Sequence, residues 1–309
     1  MSDNNQVNST IINDTFNYSC FPNNTSIFGN NANGTLIADN ISILEQFNRS
    51  EVVSNINNKI NKSRSEFVDT GLNSLEKEKG IILTHQNLRS INNKFAEVQI
   101  RLTGSSIDVH SFSETWLHKD IADSEIYIPG YSIIRTDRNT NKTGGGVCLY
   151  YKNNRTVRTL VSLSTNDYEV LFVELKLDRC KSNLIGIIYK PPNGKSDNLI
   201  EIIESILNEH MANKEVIIMG DFNIDASQEN MSNWKKLYRS LSCLKLTQII
   251  SEPTRIGKNN ETLIDHIWTN NTTLFNKSGV VRLGLSDHDL IYTVRKKPPF
   301  EKVENTSFS

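Results

Sequence analysis

The sequence predicts an α/β fold, a sandwich in which β-sheets pack on each other with helices outside. Apolar runs of strand length outnumber stretches of helical periodicity, and those helical stretches fall between pairs of strands. Near the middle, Glu215-Val216-Ile217-Ile218-Met219-Gly220 is too short for a helix and suits a buried strand, and Asp221 and Asn223 follow it. Residues i and i+2 point the same way on an extended backbone, so this carboxylate and this amide emerge together at the end of a core strand.

The elements follow in order. Residues 1 to about 80 are rich in Asn and Ser, lack sustained periodicity and read as a disordered tail, with a weak helical pattern around Ile41–Ile60. Order is expected from Ile81, in a strand that ends at Asn87. A helix with Ile91, Phe95, Val98 and Leu102 on one face comes next. The segment from Ile107 to Trp116 begins with strand-like alternation. Pro129-Gly130 turns the chain into a strand over Tyr131–Thr136, and a polar loop leads through Gly144-Gly145-Gly146 to a strand over Val147–Tyr151. Tyr168–Leu177 and Leu184–Tyr189 read as adjacent strands stopped by Pro191-Pro192. Asn198–Met211 and Trp234–Leu244 read as helices, Thr262–Thr269 and Asp289–Val294 as the last strands, and residues 297–309 as a tail.

Composition narrows the setting. The chain has 309 residues with 34 basic and 35 acidic side chains. Nine of the acidic and six of the basic ones lie in residues 1–80, which leaves 26 against 28 in the expected domain. Such a balance gives no global sign of a nucleic-acid binder, so any DNA contact must come from a local patch. The N-terminus carries no secretory segment and no stretch spans a bilayer, and Cys20, Cys148, Cys180 and Cys243 form no C-x-x-C pair. A reducing compartment, nuclear or cytoplasmic, is expected, and the Asn-x-Ser/Thr triplets at Asn8, Asn13 and Asn33 read as accidents of composition.

Polar groups recur at or just past the strand ends: Asn87, Glu114, Tyr189, Asp221 with Asn223, Asp265, and Ser286-Asp287-His288. Each has a bland reading: Asn87 as a helix cap, Glu114 as a surface acid, Tyr189 as an edge aromatic packed on Pro191. Asp265 is the most telling singly, because Asp is depleted within strands. Together they suit phosphodiester hydrolysis, which needs a cation, a positioned water and help for the leaving oxygen. Hard oxygen ligands of the Glu114 kind suit Mg²⁺, with no His/Cys cluster for a transition metal. An Asp265–His288 pair would orient the imidazole, Asp221 would hold or deprotonate water, and Asn223 and Asn87 would donate to phosphate oxygens. His85 and His266 read as neighbours of the site.

The motifs His-Gln-Asn-Leu-Arg-Ser at 85–90, Ser-Glu-Thr-Trp at 113–116, Tyr-Lys-Pro-Pro at 189–192, Gly-Asp-Phe-Asn at 220–223, Leu-Ile-Asp-His-Ile at 263–267 and Ser-Asp-His at 286–288 resemble the endonuclease/exonuclease/phosphatase superfamily in order and spacing. The Asn-Leu-Arg-Ser-Ile-Asn-Asn-Lys opening, the glycine run and Glu-Pro-Thr-Arg at 252–255 resemble the apurinic-endonuclease-like domain of non-LTR retrotransposons, over residues 81–296. The resemblance implies a four-layer α/β sandwich, two packed mixed β-sheets flanked by helices, and Mg²⁺-dependent nicking of DNA that leaves a 3′-hydroxyl, with Mn²⁺ as a substitute ion. It implies Glu114 as main metal ligand with Asn87 and Asp287 around it, and Tyr189 on the phosphate or leaving group. It also implies that Asp221 and Asn223 orient water and phosphate, that Asp265 pairs with His288, which contacts or protonates the phosphate, and that Arg255 and Ser286 bind substrate. Retroelement RNA, or a reverse transcriptase supplied in trans, is the further partner implied. Two departures stand out: Arg89 where many relatives have Asp or Asn, and Pro192 where Asn often follows Tyr-x-Pro. They favour retrotransposon-type nicking over abasic-site repair. The alternatives are a phosphatase of the same superfamily acting on lipid or inositol phosphates, and a catalytically inactive remnant that binds DNA.

Overall fold

In a computed structural model, the described residues are 70–139, 144–176, 182–257 and 260–297. The expectations for the Asn-rich segment before residue 70, for Cys20 and Cys180, and for residues 298–309 lie outside them. The described elements begin with helix α1 (Thr70–Glu76), ahead of the strand at which order was expected to start. Then come β1 (Ile81–Asn87), a 3-10 turn (Asn92–Lys94), α2 (Phe95–Leu102), β2 (Val109–Ser113), β3 (Tyr131–Thr136) and β4 (Val147–Lys152). Next are β5 (Thr156–Ser164), β6 (Glu169–Lys176), β7 (Asn183–Tyr189), α3 (Ser196–His210), β8 (Glu215–Asp221) and α4 (Ser232–Cys243). The last are β9 (Thr247–Gln248), β10 (Arg255–Ile256), β11 (Glu261–Thr262), β12 (Asp265–Thr269), β13 (Phe275–Val281) and β14 (Leu290–Arg295).

Two mixed six-stranded sheets result, in the orders β13-β14-β1-β2-β4-β3 and β5-β6-β7-β8-β12-β9. Each contains one parallel pair, β1 with β2 and β7 with β8, and antiparallel neighbours around it. A parallel pair needs a long crossover. Helix α2 lies in the first crossover and α3 in the second, and both parallel pairs end toward the same edge of the sandwich as the start of β12.

Strand alternation sorts the chain into layers. Ile81 and Leu83 of β1, Leu171 and Val173 of β6, Ile185 and Ile187 of β7, Ile217 and Met219 of β8, and Ile267 of β12 form the apolar layer between the sheets. Their neighbours one position along face outward. Ile82 and Phe112 meet Leu72 and Leu75 of α1 and Val98 and Leu102 of α2. Val216, Ile218 and Trp268 meet Leu199, Ile203 and Leu207 of α3 and Leu237 and Leu241 of α4. The architecture is the α/β sandwich expected, helices over each outer face.

Several elements depart from the expected boundaries. The helix expected from Ile91 opens as a 3-10 turn, since Ile91 N–H is already committed to Thr115 O and Asn92-Asn93 are weak helix formers. The strand expected over Thr262–Thr269 is interrupted at Leu263 and Ile264, whose amides donate to Asp225 Oδ1 and Thr254 Oγ1 instead of to a strand. The strands β5 and β13 sit at sheet edges with many exposed side chains, so they lack an apolar run to announce them.

At the edge of the inter-sheet layer remote from Asp221, Arg295 of β14 grips Glu215 of β8 through Nε and Nη2, at 2.7–2.9 Å, both side chains 7% exposed. Removing one partner of a buried pair strands the other charge. Glu215→Leu is expected to lower the unfolding free energy in urea by about 3–5 kcal/mol, and Glu215→Leu/Arg295→Met to recover most of it.

Candidate active site

The inward-facing rows that make the apolar layer continue, two residues on, into polar groups. On β8 the row Ile217, Met219 ends in Asp221; on β7 the row Ile185, Ile187 ends in Tyr189; on β1 the row Ile81, Leu83 continues through His85 to Asn87. Sheet register puts Tyr189 and Asp265 directly opposite Asp221 on either side. Asn87, Tyr189, Asp221 and Asp265 are therefore gathered at one mouth of the sandwich, and all are buried. Gly220 is needed for this approach: a Cβ there would come within 2.0 Å of Ile188 O on β7.

Asn87 joins the two sheets. Its Nδ2 donates to Glu114 Oε1 and to Asp221 Oδ2, each at 2.8 Å, while its Oδ1 accepts the Arg89 N–H at 3.1 Å. Asp221 accepts two more bonds from Asn223, whose backbone N–H reaches Oδ1 at 2.9 Å and whose Nδ2 reaches Oδ2 at 3.2 Å. Asn223 Nδ2 also donates to Lys190 O at 2.8 Å, tying the Tyr-Lys-Pro-Pro turn to the Gly-Asp-Phe-Asn turn. Asn223 holds this position with φ at 45°, a left-handed conformation that Asn tolerates better than most residues. The amide protons of Asn87 and Asn223 go to protein acceptors, and both side chains fix the orientation of Asp221.

The Asp–His pair forms as expected, with His288 Nδ1 and Asp265 Oδ2 2.9 Å apart. Thr254, which sequence reasoning gave no role, completes it. Its hydroxyl donates to Asp265 Oδ2 at 2.7 Å and accepts the Asp265 N–H at 3.0 Å. Burial works against an imidazolium at His288, yet Asp265, Asp221 and Asp287 together raise its pKa to about 9, so the ring is cationic at neutral pH. Burial, then the neighbouring Asp265, push the Asp221 carboxyl well above the usual carboxylate range. The Ser286 hydroxyl donates toward Asn87 O at 2.6 Å and accepts the His288 N–H at 3.0 Å, bracing the Ser-Asp-His turn against β1.

Tyr189 lies among charges. Burial raises its phenol, Glu114 and Asp221 raise it further, and its hydroxyl hydrogen-bonds Glu114. Arg138 stands 5.5 Å from the centre of its ring and is bound through Nε and Nη2, at 2.5 and 3.0 Å, to the fully buried Glu169. Neither Arg138 nor Glu169 was singled out in the sequence, because the pair closes over a distant loop and strand. His85 sits behind Asn87. Ser111 Oγ spends its one proton on Thr84 O, so His85 Nδ1 donates to Ser111 and Nε2 accepts from Ser113. Burial lowers His85 to about 4 and keeps it neutral. His266 faces the other way: it stacks on Phe222 at 4.8 Å among Trp234 and Trp268, beneath α4.

The candidate metal residues fall into two groups. Glu114, Asn87 and Asp221 form one hydrogen-bonded cluster. Asp287 stands apart from it, held by Arg255 Nε at 2.9 Å and by Arg89 Nη1 at 3.3 Å. Arg255 and Arg89 thus neutralise the acid beside His288, and Arg89 fills with a cation the position where a further ligand was missed. Ligand atoms of Asp221, Asp265 and His288 also lie within 4.8 Å of one another, but the Asp265–His288 bond already uses two of them. Fit to a hard divalent cation rests on the donor chemistry: carboxylate and amide oxygens without a thiol. The unpartnered, buried Asp265 Oδ1 and the raised Asp221 carboxyl mark a site with more negative charge than its protein partners offset.

No curated protein sequence matches the chain. Among solved structures, the endonuclease domain of TRAS1, a telomere-specific non-LTR retrotransposon, superposes with a TM-score of 0.58 at 16% identity, covering 70% of this chain and 98% of that one. The AP endonuclease LMAP from Leishmania major gives 0.58 at 13% identity, covering 75% and 92%. The 3′ phosphatase NExo from Neisseria, bound to a product DNA hairpin, gives 0.55 at 15% identity, covering 70% and 100%. These likenesses are of fold. A sequence profile carries the assignment further, matching residues 84–288 from the core of β1 to the histidine of the Asp–His pair, and by it the chain belongs to the endonuclease/exonuclease/phosphatase family.

Proposed function

We propose that the protein is a Mg²⁺-dependent DNA endonuclease that nicks one strand and leaves a 3′-hydroxyl, as in retrotransposon target-site cleavage. The observation that carries this reading is the convergence of Asn87, Glu114, Tyr189, Asp221, Asn223, Asp265 and His288 at one mouth of the sandwich. The guanidiniums of Arg89 and Arg255 border it with Asp287 between them, two positive charges against one negative, which favours a phosphate backbone locally where the overall charge does not.

Glu114 would be the main ligand of the cation, with Asn87 Oδ1 in its environment and Asp287, paired to Arg255 and Arg89, at the edge of it, and the cation when bound supplies positive charge to the non-bridging phosphate oxygens. Asp221 is oriented by Asn87 and Asn223, and its raised pKa makes it a stronger base toward the attacking water. His288, fixed through Nδ1 by Asp265, has its Nε2–H left for a phosphate oxygen. Tyr189 is poised by Glu114 and Arg138 as a donor to the phosphate or to the departing 3′ oxygen. Water adds to phosphorus, the P–O3′ bond breaks, and the 3′ oxygen leaves as a hydroxyl.

The direct test is nicking of supercoiled plasmid by the full chain. Relaxed circles are expected with Mg²⁺, none with EDTA, and loss of at least about a hundredfold in Glu114→Ala, the scale at which a single electrostatic contact to the transition state counts. Phosphate release from small phosphomonoesters without any nicking would overturn the reading in favour of a phosphatase. Asp221→Ala and His288→Ala are each expected to abolish nicking while a gel-shift assay shows DNA still bound. Thr254→Val removes one hydrogen bond to a charged carboxylate, and a roughly tenfold fall in nicking rate is expected, with binding unchanged.

A further inference from the structure

Two residues past Glu114, the chain exposes a tryptophan. Trp116 is 42% exposed, while Thr115 and Leu117 on either side are buried. Its backbone is left-handed, with φ at 57°, and that of Glu114 is also left-handed at 49°. A bulky residue adopts this conformation only when its surroundings impose it. Four main-chain bonds impose it here. Ser90 N–H and Ile91 N–H donate to Glu114 O and Thr115 O at 2.8 and 2.9 Å, and Thr115 N–H and Trp116 N–H donate to Gly146 O and Gly145 O at 3.3 and 2.9 Å. The indole lies against Gly144, where a Cβ would stand 3.2 Å from Nε1, and Gly144 itself has φ at 86°. Gly144 therefore serves as the floor on which this ring rests.

An indole placed for packing alone would be buried, since burial is where its apolar area is stabilising. This one is held out on a strained, hydrogen-bonded segment. Around the same segment are cations: Arg89, 50% exposed, and Lys94, whose ammonium feels the charges of Asp287, Arg89 and Glu114. An exposed π-face on a segment that these cations border matches a nucleobase attached to a phosphate chain.

We propose that Trp116 is a stacking platform for a nucleobase flanking the scissile phosphate, so that the preferred substrate is a polynucleotide with a base at that position; this rests on the endonuclease reading. Binding the flanking base would position the strand without touching the reacting atoms. Trp116 is thus a specificity residue, and its effect belongs in KM.

The test uses the full chain, Mg²⁺ and a duplex oligonucleotide containing a sequence that the wild type nicks, compared with duplexes in which a tetrahydrofuran abasic unit replaces one base beside the nicked bond. Trp116→Gly removes the ring and accepts the left-handed backbone freely. Trp116→Leu keeps apolar bulk without a π-face, and Trp116→Phe keeps a smaller ring. Trp116→Gly and Trp116→Leu are expected to raise KM about 5- to 150-fold with kcat within about twofold, and Trp116→Phe to stay near wild type. Removing the stacked base should cost the wild type a similar factor and cost Trp116→Gly little. An unchanged KM in Trp116→Gly and Trp116→Leu, or equal losses in both proteins on base removal, would overturn stacking while leaving the nuclease intact. A wild type that nicks no DNA at all would overturn both.

Discussion

One amide nitrogen ties the polar mouth of one sheet to that of the other. Asn87 Nδ2 lies 2.8 Å from a carboxylate of each sheet's site, Glu114 beyond β2 and Asp221 on β8. These two acids carry like charge and would repel if brought together bare. A neutral group with two protons and no net charge lets them share a neighbour. The Arg89 N–H fixes which way the amide faces, because it requires Oδ1 on its own side. The apolar layer behind must therefore set the sheet separation closely enough for both bonds to form, and the chemistry at the mouth depends on packing some residues away.

Polarity is graded along the inward face of the sandwich. Its middle is aliphatic. Toward the mouth comes a neutral polar step, in which His85 bonds Ser111 and Ser113 and stays uncharged because it is fully buried. Only beyond it do the ionised groups appear, with Asp265 and His288 meeting as a compensated pair. A charge placed one step deeper would lack water and partners, so the gradient sets how far into the sandwich the site can extend.

Much of this arrangement was legible in the sequence because a carboxylate ending an apolar row breaks a simple pattern. Asp221, Asp265 and Asn87 announced themselves in that way, and the two-residue period placed them on the inner face. The same period, applied strictly, would also have sent His266 outward, since Asp265 and Ile267 point in; its proximity in sequence to Asp265 was misleading. Thr254 was not legible, because a lone Thr after Pro253 carries no signal until Asp265 is seen beside it. Arg138 and Glu169 escaped for a related reason: each is an ordinary charged residue until the fold buries the pair next to Tyr189. The capture of both Asn amides by Asp221 was likewise invisible, since composition does not say which acceptor a donor finds. Among the strands, β5 and β13 were missed where one-sided burial at a sheet edge leaves no apolar run.

The strand order also constrains when the site can exist. In the first sheet, β14 lies between β13 and β1, and Ile81 of β1 pairs with Arg295 of β14 across more than two hundred residues of chain. Contacts so distant in sequence form late, after the loop-closure entropy has been met. During synthesis β1 must wait with one edge open until the last strand emerges, while the second sheet, whose strands lie between residues 156 and 269, can assemble before it. Asp221 and Tyr189 would then be in place ahead of His288, which precedes the start of β14 by two residues. The mouth of the sandwich is therefore completed from two ends of the chain at once: β14, the last of the described strands, closes the open edge of β1 in the same step that carries His288 to Asp265.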